Sequence, residues 1–179
     1  MRVFQKIHIL LLLCAAVGMN VLVPSCRKQP VLNIDGLSSS ELVSTVNWND
    51  PEILRIAQEA QAGLSVFFRH LTAAGEGEGG FCVKYPFVAD SGGVDSEQVW
   101  LTGIRFRNNR YYGKLANTPI HVSGLKKGGT VSFIPDNITD WMFVKDGKIV
   151  GGQSIKYLLE KIPENRRSEG QNQLLQLFY

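Results

Sequence analysis

The first amphipathic pattern in the chain is a run of apolar residues at helical spacing, which begins after the pair Asp50-Pro51. Aspartate is a favourable N-cap, and proline at the first helical position costs no hydrogen bond. The apolar positions that follow are Ile53, Ile56, Ala57, Ala60, Leu64, Phe67, Phe68 and Leu71. Their intervals of three and four predict an amphipathic helix whose apolar side packs on the rest of the domain.

After the glycine-rich stretch GEGEGG (75–80), which we interpret as a loop, the apolar period changes to two. In FCVKYPFVAD, the residues Phe81, Val83, Tyr85 and Phe87 alternate with others, which predicts a strand with one apolar side. Pro86 indicates an edge strand or a bulge. The segment EQVWLTGIRFR predicts a second strand after the turn SGG.

Two short turns predict hairpins. Asn108-Asn109 separates two strand-like segments, and asparagine tolerates the positive φ angles of a tight turn. Asp146-Gly147 has the same role between WMFVK and KIVGG, and LKKGGTVSFIP supplies a turn and a short strand between the two hairpins. Trp141 and Phe143 share one side of their strand, with Met142 on the other, so we expect this strand to be covered on both sides.

The remaining segments are helical or tail-like. SIKYLLEKI predicts a short helix with Ser154 as its N-cap, and we expect the apolar end of the tail, LLQLFY, to dock on the domain. The elements together predict an α+β fold: an N-terminal helix, an antiparallel twisted or barrel-like sheet of about five or six strands, and a short C-terminal helix.

The N-terminus has the pattern of a bacterial lipoprotein signal. Arg2 and Lys6 precede a mostly apolar stretch, and Val23-Pro24-Ser25 leads into Cys26, which would become the lipid-carrying first residue. An uncleaved membrane anchor and a plain secreted protein are the alternatives. We therefore predict a signal peptide (1–25), a tether (26–47), an α+β domain (48–165) and a C-terminal tail (166–179).

Composition narrows the class of partner. Loss of Arg2 and Lys6 with the signal leaves 17 basic residues against 16 acidic ones, so the mature chain is close to neutral. This balance gives no electrostatic reason to expect nucleic acid as a partner. Of three cysteines, Cys14 leaves with the signal and Cys26 would be lipidated, so Cys82 is a lone thiol and we expect no internal disulfide.

The predicted Asn108-Asn109 hairpin suggests a ligand site. Its register places Arg107 opposite Arg110 and Arg105 opposite Tyr112. Like charges directly opposite one another are destabilising. The two arginines therefore either splay into water or share an anion, with Tyr112 stacked on Arg105. Candidate ligands are a carboxylate, a phosphate-bearing envelope glycan or an acidic protein.

The sequence gives little indication of phosphate binding, metal binding or thiol catalysis. GEGEGG lacks the lysine and Ser/Thr that a phosphate-binding loop needs. His70 has no second histidine three or four residues away, so we expect a helix-end residue and no metal site. Cys82 shows no local signature of an activated thiol and is interpreted as a buried small side chain. We expect no cofactor.

Five motifs follow one another along the chain: YPF (85–87), DSEQVWL (95–101), YYGKLANTP (111–119), LKKGGTVSF (125–133) and ITDWMFVKDGKIVGG (138–152). This series resembles the bacterial domain of unknown function 2314 (DUF2314), and the resemblance covers residues 50–160. The resemblance marks Glu97, Trp100, Gly113, Asn117, Pro119, Asp140 and Trp141 as family-motif positions. This chain has Gln98 where histidine is usual and Gly129 where aspartate is usual. Gln98 could replace a hydrogen bond of that histidine but not its proton transfer.

The resemblance implies no established activity. The sequence favours a lipid-anchored module, facing the periplasm, that binds an envelope protein or an anionic ligand and is not an enzyme. One alternative is an enzyme acting on an envelope substrate through Glu97, Asp140 or Cys82. The other is a protective or inhibitory partner of a secreted factor.

Overall fold

The computed structural model describes residues 50–179. The predicted signal peptide (1–25), the predicted lipidation residue Cys26 and the tether (26–47) lie outside these residues. The helices are α1 (Pro51–Thr72), α2 (Gln153–Lys161) and α3 (Glu169–Leu175), and the strands are β1 (Glu78–Val88), β2 (Ser96–Arg107), β3 (Arg110–Leu115), β4 (Thr130–Phe133), β5 (Asp140–Lys145) and β6 (Lys148–Gly151). No helix in this part of the chain is long and apolar enough to span a bilayer.

The six strands form one antiparallel sheet in the order β4-β3-β2-β1-β5-β6. The prediction of an α+β fold with an N-terminal helix, an antiparallel sheet and a short C-terminal helix is confirmed. The sheet is open, because β4 and β6 lie at opposite edges and do not pair. The barrel-like alternative is therefore wrong. Residues 134–139 lead from edge strand β4 to β5, which pairs with β1.

The first helix forms where the sequence predicts it. Asp50 is its N-cap and accepts a hydrogen bond from the backbone N–H of Glu52 at 2.9 Å. Asp50 also accepts from Tyr157 at 2.8 Å and from Lys161 at 2.6 Å, so it joins the beginning of α1 to α2. The cap therefore serves both local and tertiary structure.

The two faces of the sheet carry separate cores. On the first face, α1 packs on Val83, Leu101 and Phe143 through Leu64 and Phe67. On the second face, the buried residues are Cys82, Trp100, Met142, Ile149, Ile155, Leu159 and Phe178. Strand β5 contributes to both cores, as its alternation predicts. Phe178 comes from the tail and forms a parallel bridge with Ile149, so the apolar tail end docks on the domain as expected.

Three local expectations are corrected. GEGEGG is not wholly a loop, since β1 already begins at Glu78, which pairs with Lys145 of β5. Ser154 is not the N-cap of α2; Gly152, with φ of 67°, has that position, and Ser154 bonds Asp140 instead. Pro86 is in an inner strand, but β5 pairing ends at Lys84, so no neighbour there requires the missing N–H.

Phe67 tests the first core. Its side chain is 0% exposed and lies against the rings of Phe68, Phe81 and Trp141. We expect Phe67→Ala to lower the free energy of unfolding by about 3–5 kcal/mol, because a large buried ring leaves a cavity. Urea denaturation measures the change. Val66→Ala, at the partly exposed neighbouring position, is the control and should cost far less; equal losses would contradict this assignment of the core.

Glu78 predicts a pH dependence. Its carboxylate interacts with the backbone N–H of Gly75, with the imidazole of His70 and with the ammonium group of Lys145. These contacts lower the pKa of Glu78 from 4.5 to about 2. A carboxylate with a lowered pKa stabilises the fold at high pH and loses this contribution as the pH falls through the folded-state value. We therefore expect stability to fall between pH 4.5 and about 2, and to fall less in Glu78→Gln.

Urea midpoints of both proteins across this pH range measure the difference. Glu160→Gln, at an exposed position on α2, is the matched control and should follow the wild-type curve. If Glu78→Gln also follows that curve, the carboxylate does not supply the acid sensitivity.

Candidate functional site

The predicted hairpin residues lie together on the second face of the sheet. The register is Arg107 opposite Arg110 and Arg105 opposite Tyr112, as the sequence predicts. Asn108 and Asn109 have φ angles of 50° and 58°, which form the tight turn. All three arginines are exposed and Tyr112 is half-buried. This side of the hairpin is therefore exposed to solvent.

A bulge at Gly103 aligns the arginines. Thr102 pairs with Lys114 but Arg105 pairs with Tyr112, so β2 contains one extra residue between these pairs. Gly103 has φ of 57°, a conformation that favours glycine at such a bulge. Without the extra residue, alternation would turn Arg105 to the first face. With it, Arg105 lies on the same face as Lys114.

These side chains form a basic patch, defined as Arg105, Arg107, Arg110 and Lys114. Within residues 50–179, the ion pairs involve other cations, and none of these four has a carboxylate partner. Strands β2 (from Thr102), β3 and β4 carry no acidic residue. The like charges of Arg107 and Arg110 are thus not compensated by any carboxylate of the part of the chain that the structure describes.

Lys114 was missed by the sequence analysis, although a signal for it exists. Residues 98–135 contain no aspartate or glutamate, and their basic residues are Arg105, Arg107, Arg110, Lys114, Lys126 and Lys127. The near-neutral net charge of the mature chain does not reveal that the basic residues are concentrated in this acid-free segment. A count of charge along the chain, and not only over the whole chain, would have included Lys114.

Two open grooves flank the hairpin. The basic groove, of about 640 Å³, has Arg105, Arg107 and Tyr112 along it and reaches Thr130 on β4. The aromatic groove, of about 520 Å³, is lined by Tyr85, Phe106, Asn109, Arg110, Tyr111, Ser132, Phe133, Ile134 and Pro135. Phe106 is 61% exposed and Ile134 is 59% exposed, so the aromatic groove has an apolar rim. Both grooves have a size that suits a few side chains of a ligand.

The acidic family-motif residue Glu97 fixes a loop. Its buried carboxylate accepts hydrogen bonds from the N–H of Ile120, at 2.8 and 3.0 Å to its two oxygens, and from that of His121 at 2.6 Å. Pro119 is buried in the same loop and Asn117 is half-buried. Backbone anchoring explains why a carboxylate is needed at Glu97.

The motif glycine and tryptophans are packing residues. A Cβ on Gly113 would lie 2.9 Å from that of Leu101, so only glycine fits this approach. Trp100 is buried in the second core. Trp141 donates from its indole N–H to the carbonyl oxygen of Ala60 at 2.9 Å, which holds α1 against β5. At the departure from the family pattern, Gln98 accepts a hydrogen bond from Thr139 at 2.6 Å.

Asp140 is the centre of a buried polar cluster with Lys84 and Ser154. Its Oδ2 accepts from the N–H of Ser154 at 2.8 Å and from the Ser154 hydroxyl at 2.6 Å. Lys84 Nζ donates to Ser154 Oγ at 3.1 Å. Burial lowers the pKa of Lys84 to about 8, despite the nearby Asp140, and burial raises the pKa of Asp140.

The side chains of this cluster have a structural role in the arrangement observed. A serine with a lysine of lowered pKa could supply a nucleophile and a base. Ser154 is only 3% exposed, however, and its hydroxyl proton is directed to Asp140. The three side chains join β1, β5 and α2, so their contacts explain the fold without a reaction.

The other predicted chemical groups are also placed. Cys82 is 3% exposed and burial raises the pKa of its thiol to about 12, as expected for an inert buried cysteine. His70 lies in the last turn of α1, with Nδ1 2.9 Å from Glu78 Oε2. Residues 50–179 contain no group of three or more His, Cys, Asp or Glu side chains arranged to hold a metal ion.

Comparison with known proteins identifies the family. Residues 50–175 match the family described as "Uncharacterized protein conserved in bacteria (DUF2314)". The chain belongs to this family. The match covers the three helices and six strands described within residues 50–179 and agrees with the motifs found in the sequence.

Two curated proteins each match about half of this chain. A protein of Neisseria meningitidis serogroup B described as "Putative ankyrin repeat protein" is 35% identical over 88 residues, which cover 49% of this chain and 35% of that protein. The uncharacterised protein YegJ of Escherichia coli K12 is 33% identical over 89 residues, which cover 50% and 56% of the two chains. The alignments thus leave a large part of each relative uncovered. No solved structure matches the chain.

Asp140 tests the structural role of the polar cluster. We expect Asp140→Ala to lower the free energy of unfolding by about 3–5 kcal/mol, because it removes the negative charge near the buried Lys84 and leaves the Ser154 N–H without its acceptor. Asp136→Ala, at an exposed position four residues earlier, should change stability by about 0.5 kcal/mol or less. Chemical denaturation of both variants measures this, and similar small losses would show that the cluster is dispensable.

Proposed function

We propose that this DUF2314 protein is a lipid-anchored interaction module of the bacterial cell envelope, which binds an acidic protein partner through its basic patch. The observation that carries the binding role is the set of four exposed cations on one sheet face, with no carboxylate partner within residues 50–179. A folded domain gains no stability from grouping these charges, because their mutual repulsion is unfavourable. An acidic partner offsets that repulsion.

The N-terminal pattern supports the proposed location. Arg2, Lys6, the apolar stretch and Cys26 match what lipid attachment requires, and no acidic run follows Cys26 to direct the protein outward. An exported module meets proteins, glycans and lipids rather than nucleic acid. Among these, proteins commonly present acidic surfaces, and charge complementarity would steer their association.

Two further observations support a module rather than an enzyme. Glu97 and Asp140, the acidic candidates for catalysis, are both buried and accept hydrogen bonds from backbone N–H groups. About half of this chain also aligns with 35% of a longer protein described as "Putative ankyrin repeat protein". A segment that occurs in a longer protein of that description is consistent with an accessory binding domain.

Charge reversal tests the basic patch. We expect Arg107→Glu/Arg110→Glu to weaken binding of poly-L-glutamate by about tenfold or more, since two attractive charges become repulsive. Wild-type binding should also weaken as salt rises, because exposed charges are screened. Fluorescence titration at two salt concentrations measures both effects.

The matched control is Arg69→Glu/Arg166→Glu, which changes net charge equally at exposed positions of α1 and of the turn after α2. It should bind poly-L-glutamate almost as well as the wild type does. Equal weakening by both double variants would mean that net charge, and not the basic patch, attracts the polymer.

In intact cells, site-specific crosslinking from the basic patch should capture one stoichiometric acidic protein. The Arg107→Glu/Arg110→Glu variant should lose this protein.

A further inference from the structure

The outer edge of β4 is an unpaired strand edge beside the basic patch. Strand β4 pairs with β3 on one side, and residues 50–179 contribute no strand on its other side. The N–H of Leu115 donates to the carbonyl of Gly129, so the bonded pairs that alternate from there are Gly113 with Val131 and Tyr111 with Phe133. The backbone groups of Thr130 and Ser132 therefore point outward, away from β3.

Both grooves open towards this edge. The basic groove includes Thr130, and the aromatic groove includes Ser132, Phe133 and Ile134. A strand added beside β4 would direct alternate side chains to the two faces of the sheet. One set would lie over the second face beside Thr130 and Ser132, and the other set over the first face beside Phe133.

We propose that the β4 edge binds an extended peptide segment of alternating acidic and apolar residues by strand addition. The inference rests on the proposed binding role and names its occupant. The acidic side chains meet the basic patch, the apolar side chains enter the aromatic groove, and the peptide backbone pairs with Thr130 and Ser132. Main-chain bonds supply affinity and the two grooves supply specificity.

The reach of the side chains fits this arrangement. Neighbouring strands are about 4.8 Å apart, so the added strand would lie about 10 Å from β3. Thr130 and Ser132 are small, and they leave the space between the added strand and β3 open. The long side chains of Lys114 and Arg110 can cross this space to meet a carboxylate. Larger residues at these two β4 positions would close it.

Charge argues against a second copy of this chain as the occupant. Pairing two β4 edges would bring two basic patches together, and like charges would oppose the contact. The edge also lacks the usual protection by an inward lysine or a proline within the strand, since β4 reads Thr-Val-Ser-Phe. An acidic segment from a partner would cover the unprotected edge without bringing two basic patches together.

Amide hydrogen exchange of the purified full chain tests the proposal with the synthetic peptide EFELEFE as the probe. We expect the peptide to slow exchange at the amides of Thr130 and Ser132 by about tenfold or more. The same residues in the block order EEEEFLF, and the basic peptide KFKLKFK, should not do so. Exchange that is already slow without peptide, or concentration-dependent self-association, would mean that the edge has another occupant and would overturn the proposal.

Ser132→Pro separates the edge from the basic patch. Proline removes the outward N–H of residue 132 but no bond to β3, so we expect it to abolish binding of EFELEFE, whereas Ser132→Ala should bind as wild type. Circular dichroism confirms that both variants are folded. Unchanged peptide affinity in a folded Ser132→Pro variant would contradict strand addition. If that variant does not fold, the exchange experiment on the wild type decides alone.

The two proposals can fail separately. If poly-L-glutamate binds the wild type but EFELEFE protects neither Thr130 nor Ser132, the binding role stands and strand addition is wrong. If neither probe binds, the basic patch is not a binding surface and both proposals fall. A loss of EFELEFE binding both in Arg107→Glu/Arg110→Glu and in a folded Ser132→Pro variant, with Ser132→Ala unaffected, would support both.

Discussion

The carboxylate of Asp140 is the contact on which the layered arrangement depends. Asp140 is the first residue of β5, and its carboxylate accepts two hydrogen bonds from Ser154 near the beginning of α2. The carboxylate also lies close enough to Lys84 of β1 to affect the pKa of that lysine. Its Oδ1 also accepts from the N–H of Trp141, whose indole in turn bonds α1. A buried charge is costly unless it is paired and hydrogen-bonded. The hydrogen bonds to this one carboxylate therefore position the inner strand β5, the helix α2 on the second face and, through Trp141, the helix α1 on the first face.

The helices cover the sheet unequally, and this asymmetry creates the candidate site. Helix α1 covers the first face, while α2, α3 and the tail residue Phe178 cover the second face at the β5–β6 end. The second face at the β2–β4 end carries polar and basic side chains instead. The bulge at Gly103 then turns Arg105 and Arg107 to that exposed face. Packing and register, rather than any single motif, thus assemble the basic patch.

Local patterns in the sequence predicted most of the elements. Asp50-Pro51, Asn108-Asn109 and Asp146-Gly147 acted as expected because caps and tight turns depend on a few adjacent residues. The errors concern residues whose partners are distant. Glu78 was assigned to a loop because its partner Lys145 is on β5, and Ser154 was assigned as a cap because its bond to Asp140 is tertiary. The openness of the sheet was not predicted, since local alternation does not report whether edge strands meet.

By itself, the sequence determined the element types, the hairpin register, the family motifs and the acid-free segment 98–135, because these follow from composition and short-range spacing. Only the tertiary structure decided that Lys114 joins the arginines, that Glu97 and Asp140 anchor backbone, and that β4 has no second neighbouring strand among residues 50–179. The physical reason is the same in each case. These properties depend on which side chains and strand edges become covered, and burial is settled by contacts between residues far apart in the chain.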